Sequence, residues 1–438
     1  MKKILCVSLA FVLLLSGCSA ANPASLTTGA LAEAVYPETV PYPADETGDY
    51  EKYEAQYDAW WKAHREQMDL YSQEASMDTY YSAILQVFND PEYAKKNVTL
   101  SPLNIYLMLS LLAESTDGQS RQQILDVLGM DSMDQAREQA NLLWRANYND
   151  DLSVTSILAN SVWLDQDFSA NQDWLERMSK EYYASVFAGD MGSAAFNDTL
   201  HAWLDEQTRG KLTEAAQGIN FDANTLMALA STIYYKARWD EEFNANQTDE
   251  MIFHGAENDQ TCRMMHQTTM DAYFYGEHFG AVTKRLLNSG EMVFILPDEG
   301  VPVQNLFTDE EALSYMITGE GESKVVMVNL SVPKFDITSR LSLIDSLQEL
   351  GITDIFSGKA DFSPVTKDAI YLYQIDHAAR VIVDEEGVEA AAFTVAMAAG
   401  ASLPPDEEVD FVLDRPFIFL LKGADGQILF AGIVNQVS

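Results

Sequence analysis

Six histidines, His64, His201, His254, His266, His278 and His377, are the side chains best suited to acid–base chemistry at neutral pH, and none stands in a spacing that would use it. No His-Glu-x-x-His run presents two imidazoles to a zinc ion from one helix face, and no paired Cys-x-x-Cys spacing accompanies them. Nucleophile elbows of the Gly-x-Ser-x-Gly type, phosphate-binding Gly-x-x-x-x-Gly-Lys loops and Gly-x-Gly-x-x-Gly fingerprints are absent as well. Of the three cysteines, Cys6 and Cys18 lie within the first eighteen residues, so Cys262 is alone in the body of the chain and no internal disulfide can form there. No metal, no cofactor and no enzymatic activity is therefore expected. With 67 acidic residues two carboxylates could meet in a cleft as in a glycosidase, but no spacing singles out a pair.

The formal charge of −40 also narrows the choice of partners. A surface this acidic repels phosphate backbones and sulfated polysaccharides, so neither nucleic acid nor heparin is an expected ligand. A hydrophobic content of 47% supports a large core and argues against a disordered chain.

The stretch whose pattern is most specific runs from Arg380 to Phe419. Val381-Ile382-Val383 reads as a strand and is followed by Asp384-Glu385-Glu386-Gly387, then by an alanine-rich run from Val388 to Leu403 that contains no proline. Alanine has the best helix propensity, so the run can be read as a buried helix. Alternate residues give a second reading. Val388, Ala390, Ala392, Thr394, Ala396 and Ala398 would share one face of a strand, all of them small or medium. A strand that slots into an already packed sheet needs small residues on its buried face, because protein interiors hold little spare volume.

The elements that must position this stretch are an α+β set. Helical patterns at 78–88, 102–112, 120–128 and 171–187 precede most of the strand-like runs, which are expected at 226–235, 291–296, 324–332, 369–375, 380–383, 409–413, 417–421 and 429–434. At the N-terminus, Met1-Lys2-Lys3 leads into an apolar run to Leu15 that is too short to span a bilayer, which is the anatomy of a secretory signal over residues 1–17. Leu15-Ser16-Gly17-Cys18 resembles the bacterial lipobox, which implies acylation at Cys18 and an extracytoplasmic, membrane-anchored protein. Residues 18–48, with Pro23, Pro37, Pro41 and Pro43, read as a tether. Residues 49–75 read as an acidic and aromatic accessory helix docked on the protein's own body, and residues 76–438 as one large domain.

The run from Asp384 to Thr394 is similar to the hinge of the serpin reactive-centre loop, whose family pattern is acidic-acidic-Gly-small-Glu-Ala-Ala-Ala-x-Thr. Val388 stands where threonine or serine is usual and Phe393 where a small residue is usual. Other segments resemble the family in order: Asn97-Val98-Thr99-Leu100-Ser101-Pro102, Leu200 to Leu212, Thr225 to Thr248 with Trp239, Pro333-Lys334-Phe335, Leu350-Gly351-Ile352, Ala360 to Ser363 and Arg415-Pro416-Phe417. The resemblance implies the serpin fold and a suicide inhibitor of serine proteases, which traps a target covalently by inserting its cleaved loop as a strand. It assigns Glu385, Glu386, Gly387, Val388, Ala390, Ala392, Thr394, Ala396 and Ala398 to the hinge and inserting face, and Trp239 to the packing beneath the insertion point. It further assigns Ser101, Asn104, Ser231 and His377 to a polar cluster under the sheet, where serine and asparagine have exchanged places relative to the family. The family's spacing puts the scissile bond between Ala401 and Ser402, and its small side chain favours elastase-like or subtilisin-like proteases. The expected partners are that protease and, through lipid alone, a membrane; the chain is expected to be a monomer. The alternative is a non-inhibitory member acting as a surface binding protein.

Overall fold

The protein is described by a computed structural model over residues 30–43, 50–151, 153–388 and 407–437. Its helices are α1 (Tyr50–Tyr71), α2 (Asp78–Ile84), α3 (Pro102–Glu114), α4 (Gly118–Leu128), α5 (Met133–Asn147), α6 (Gln172–Lys180), α7 (Ala194–Gln207), α8 (Thr213–Ala216), α9 (Glu310–Thr318) and α10 (Ile344–Glu349). The strands of the first half are β1 (Ala30–Ala32), β2 (Val98–Leu100), β3 (Asn149–Asp150), β4 (Val154–Asp165), β5 (Ala184–Gly189) and β6 (Met227–Arg238). Those of the second half are β7 (Asp249–His254), β8 (Asp259–Tyr275), β9 (Phe279–Arg285), β10 (Glu291–Pro297), β11 (Ser323–Pro333), β12 (Phe335–Ser342), β13 (Gln374–Val383), β14 (Gly387–Val388), β15 (Glu408–Val412), β16 (Phe417–Lys422) and β17 (Ile428–Val434).

Two sheets organise these elements. The first runs β1-β5-β4-β6-β14-β13-β12, with β3 on β4; the second runs β15-β11-β8-β9-β10-β16-β17-β2, with β7 on β8. Strand β6 is buried on both faces, which is why it reads as a nearly continuous apolar run. Its odd-numbered residues Leu229, Ile233, Tyr235 and Ala237 join the main core, while Ala228, Ala230 and Tyr234 join a second cluster with Phe196, Leu200 and Trp203 of α7. Helix α3 crosses the main core with every residue buried. It starts where Ser101 accepts the Asn104 N–H and Pro102 fills the first turn, a cap that satisfies one of the helix's orphan donors.

Several expectations are corrected. The helix expected over 171–187 ends at Lys180, because the small and β-branched run Ala184-Ser185-Val186 pairs in parallel with β4 as β5. The strand expected at 369–375 starts only at Gln374, where pairing with β6 begins, and pairing with β12 follows from Asp376. The long apolar strand β4 lies early in the chain, so helices and strands interleave more than the sequence pattern implied. Of the tether expected over 18–48, residues 30–43 lie on the body, with β1 paired antiparallel to β5 and Tyr36 stacked on Trp144 at 5.4 Å. The accessory helix forms as α1 and packs on α5. Among the described residues no helix is long and apolar enough to cross a membrane.

Candidate functional site: a strand-wide slot in the first sheet

Strands β6 and β13 run parallel and pair directly from Ala228 opposite Gln374 to Thr232 opposite Ala378. Beyond that point they part, and β14 sits between them, with Val388 paired to Val383 on one side and Ala237 on the other. Val383 and Ala237 keep the same numbering offset as His377 and Ser231, so the two strands hold their register while standing one strand apart. Among the described residues, the sheet is closed at one end and held open at the other by Gly387 and Val388.

The hinge that delivers those two residues is built by local hydrogen bonding. Asp384 closes a tight turn, its carboxylate accepting the N–H of Glu386 (2.9 Å) and of Gly387 (3.2 Å), while its own N–H donates to the Gly387 carbonyl (3.1 Å). Gly387 is required by space: a Cβ there would lie 2.3 Å from the Ala237 carbonyl oxygen and 2.7 Å from Arg238 Cα. Val388 is 2% exposed and packs into the main core.

Trp239 fastens the hinge from below. Its indole N–H donates to the Asp384 carbonyl (2.9 Å), and the backbone N–H groups of Trp239 and Phe243 donate to the carbonyls of Glu386 (3.0 Å) and Glu385 (2.9 Å). Lys284, 6% exposed, lies 5.4 Å from the Trp239 ring centre and 4.5 Å from that of Phe243, and burial lowers its pKa to about 8. Glu385 is held by Lys334 Nζ at 2.5 Å and by the Thr248 hydroxyl at 3.0 Å. Burial pushes its pKa up, and these hydrogen bonds outweigh burial and keep the carboxyl below its ordinary range. Glu386 contributes its backbone to the turn.

At the closed end of the slot lies the polar cluster. Ser101, Asn104, Ser231 and His377 are all at most 1% exposed and are joined by hydrogen bonds. The Ser101 N–H donates to His377 Nε2 (2.9 Å), and Asn104 Nδ2 donates to Ser231 Oγ (2.8 Å) and to the Thr232 carbonyl (2.7 Å). Since Nε2 accepts, the neutral ring carries its proton on Nδ1, and burial pushes the imidazole pKa down to about 4. That Nδ1, together with Asn160 Oδ1 and Thr232 Oγ1, is buried without a protein partner among the described residues. His377, Ser231 and Asn160 stand in one row across β13, β6 and β4, so unsatisfied groups concentrate where the two strands begin to separate.

Sequence reasoning did not find Lys334, Thr248 or Asn160 as parts of this site. A signal for Asn160 was present, a lone amide inside the apolar run Ile157-Leu158-Ala159-Asn160-Ser161-Val162. The ion pair of Lys334 with Glu385 had none, since it joins positions far apart in the chain. Ala390, Ala392, Thr394, Ala396, Ala398, Ala401, Ser402 and the lipidation candidate Cys18 lie outside the described residues. No group of acidic, histidine or cysteine residues suited to a metal ion occurs among the described residues.

Among the described residues, the first sheet thus holds a slot one strand wide in which Gly387 and Val388 stand between β6 and β13. The family model "Serpin (serine protease inhibitor)" matches residues 80–437, and the chain belongs to the serpin family. Alpha-1-antiproteinase of Callosciurus caniceps is 30% identical over 339 residues, covering 74% of this chain and 79% of the relative. Human leukocyte elastase inhibitor is 28% identical, covering 77% and 92% respectively. Among solved structures, native tengpin, a thermophilic serpin, superposes with a TM-score of 0.73 at 24% identity over 82% of this chain and 94% of that one. Arabidopsis AtSerpin1 in its native stressed conformation gives 0.73 at 25% identity over 85% and 98%.

Proposed function

We propose that this chain is a suicide-substrate inhibitor of serine proteases, elastase-like or subtilisin-like, that traps its target by inserting a cleaved loop into the first sheet. The observation that carries the reading is Val388 held between β6 and β13 with the strand register preserved. Continuing that ladder through the cleaved loop sets Ala390 beside Tyr235 and Val381, Ala392 beside Ile233 and Ala379, and Thr394 beside Ser231 and His377. The small residues then face the main core, where Tyr235, Ile233, Val381 and Ala379 already lie. The Thr394 hydroxyl reaches the row that holds the unpartnered His377 Nδ1.

The target's serine attacks the carbonyl carbon of Ala401, the peptide bond to Ser402 breaks, the leaving amine takes a proton, and the loop remains esterified to the protease. Insertion exchanges one ladder between β6 and β13 for two. A dozen added hydrogen bonds at about 1 kcal/mol each supply on the order of 10 kcal/mol to carry the tethered protease along. The uncut form is then metastable and lasts by kinetics. The alanine-rich hinge, without charge or proline from Ala390 to Ala401, favours this over a non-inhibitory binding role.

The test is to mix the protein with elastase-like, chymotrypsin-like, subtilisin-like and trypsin-like enzymes. An SDS-stable complex at near-equal stoichiometry with the first or third class is expected, releasing a C-terminal fragment whose mass begins at Ser402. Recovery of cleaved protein and fully active protease in every mixture contradicts inhibition. A fragment beginning elsewhere contradicts the assigned bond alone.

A further inference from the structure

The segments that precede the family-matched region are attached to parts of the body that insertion must move relative to one another. Opening the slot fully requires the β1-β5-β4-β6 half of the first sheet to separate from the β13-β12 half by one strand spacing, about 4.8 Å. The second half is fixed to the other sheet: Ser339 of β12 accepts the N–H of Thr99 in β2 at 2.9 Å. The first half meets that second sheet through the end of β6, where the Arg238 carbonyl accepts the Leu287 N–H at 2.8 Å, so opening the closed end must turn the first half about that contact relative to the second sheet.

Residues 30–43 hold the first half. Strand β1 pairs with β5, the Ala34 N–H donates to Ser185 Oγ (3.1 Å), and the Val35 N–H donates to the Ser179 carbonyl (3.0 Å). The Tyr36 hydroxyl reaches Gln207 of α7 at 3.4 Å. Tyr42 packs edge-on against Trp60 of α1 at 4.9 Å, which joins this segment to the next. On α1, the buried Trp60 donates its indole N–H to Asp151 (3.1 Å), and Gln67 Nε2 donates to the carbonyls of Arg145, Ala146 and Tyr148 at 3.0 to 3.1 Å, capping the end of α5. Ala75 and Gln139 of α5 exchange two hydrogen bonds, 2.8 and 3.1 Å.

The far end holds the second sheet. Glu74 accepts from Gln427 Nε2 (2.8 Å) in the turn between β16 and β17, and its other oxygen is buried beside the Asp425 carboxyl. Two carboxyls can meet there only with a proton between them. Asn147 of α5 donates to Asp425, and the groups that face the pair are the phenols of Tyr71, Tyr81 and Tyr235.

We propose that residues 30–43 and 50–76 form a strap across the moving boundary, bound at one end to β5 and α7 and at the other to the β16–β17 turn, that restrains sheet opening in the uncut protein. The inference rests on the insertion reading above. The carboxyl pair sets the direction of its pH dependence. Burial, and then the neighbouring Asp425 charge, raise the Glu74 pKa to about 8. The docked carboxyl therefore retains a proton that a free one loses near 4.5, and docking is strongest below that pH and weakens as pH rises toward 8.

Amide hydrogen exchange on the full-length protein tests the strap, with protection at Ala34 and Val35 reporting docking and protection at Ile233–Tyr235 and Ala379–Val381 reporting the slot. Tyr36→Ala and Gln67→Ala are each expected to lower protection at both places by tenfold or more. Wild-type slot protection, corrected for intrinsic exchange, is expected to fall between pH 6 and pH 9, and Glu74→Gln to flatten that dependence. Loss of protection at Ala34 and Val35 with unchanged slot protection, in either variant, overturns the strap. The wild type is assayed for SDS-stable complexes in parallel, so that a failed inhibitor reading and a failed strap give separate results.

Discussion

His377 is buried where either charge state is demanding. As imidazolium it would place a charge in the core, and as a neutral ring it leaves one N–H without a partner among the described residues. Its pKa is about 4 in the folded state against an ordinary 6.5, so the folded protein binds fewer protons than the unfolded chain across that range. The stability this contributes is fully present above pH 6.5 and is lost as pH falls through 4, roughly 3 kcal/mol at the limit. Thermal midpoints of wild type and His377→Gln should therefore diverge between pH 6.5 and 4, with the wild type falling more steeply; parallel curves would show that His377 does not carry the slope. At this scale the sequence was informative through the family resemblance, which singled out Ser101, Asn104, Ser231 and His377. Lys334 and Glu385 are ordinary surface types whose meeting depends on the path of the whole chain.

Among the elements, β6 and β13 carry the slot, and the difference between their two ends follows from what lies between them. At the closed end they share a ladder from Ala228 to Thr232; at the open end Gly387 and Val388 stand between them. An inserted strand would pair both edges at once, so nicking the loop should raise the thermal midpoint by many degrees. The comparison is a melt of intact protein against protein cut once within residues 389–406. Equal midpoints would remove the metastability on which trapping depends. Elements of this kind were legible where a pattern was long and unmixed, as in α3 and β17. The boundary between α6 and β5 was not, because Glu181-Tyr182-Tyr183 continues the helical pattern and only the pairing of Ala184 with Asn160 turns the chain into the sheet. The docking of β1 was hidden for the same reason: Ala30-Leu31-Ala32 has the composition of a linker, and an exposed strand edge gives it structure.

For the whole molecule, the strand register fixes where residue 30 enters the body relative to the hinge. Ala30 pairs with Phe187, Phe187 with Trp163, Trp163 with Ala228, and Ala228 with Gln374, so the chain enters the first sheet in the row that forms the closed end of the slot. The hinge enters at Ala237, nine residues further along β6, about 30 Å away at roughly 3.3 Å per residue. If Cys18 is acylated as its Leu-Ser-Gly-Cys context implies, residues 19–29 are the only spacer, reaching at most about 40 Å when fully extended. The chain then leaves the body beside the closed end, at the opposite end of the slot from the hinge. Cys18→Ser should therefore move the protein from the membrane fraction to the soluble fraction, or stop its maturation, and any matured soluble protein should inhibit at the wild-type rate. Unchanged membrane fractionation would contradict the lipid anchor. A released protein that inhibits tenfold faster than the anchored one would show that attachment hinders the hinge end, contrary to its separation from residue 30.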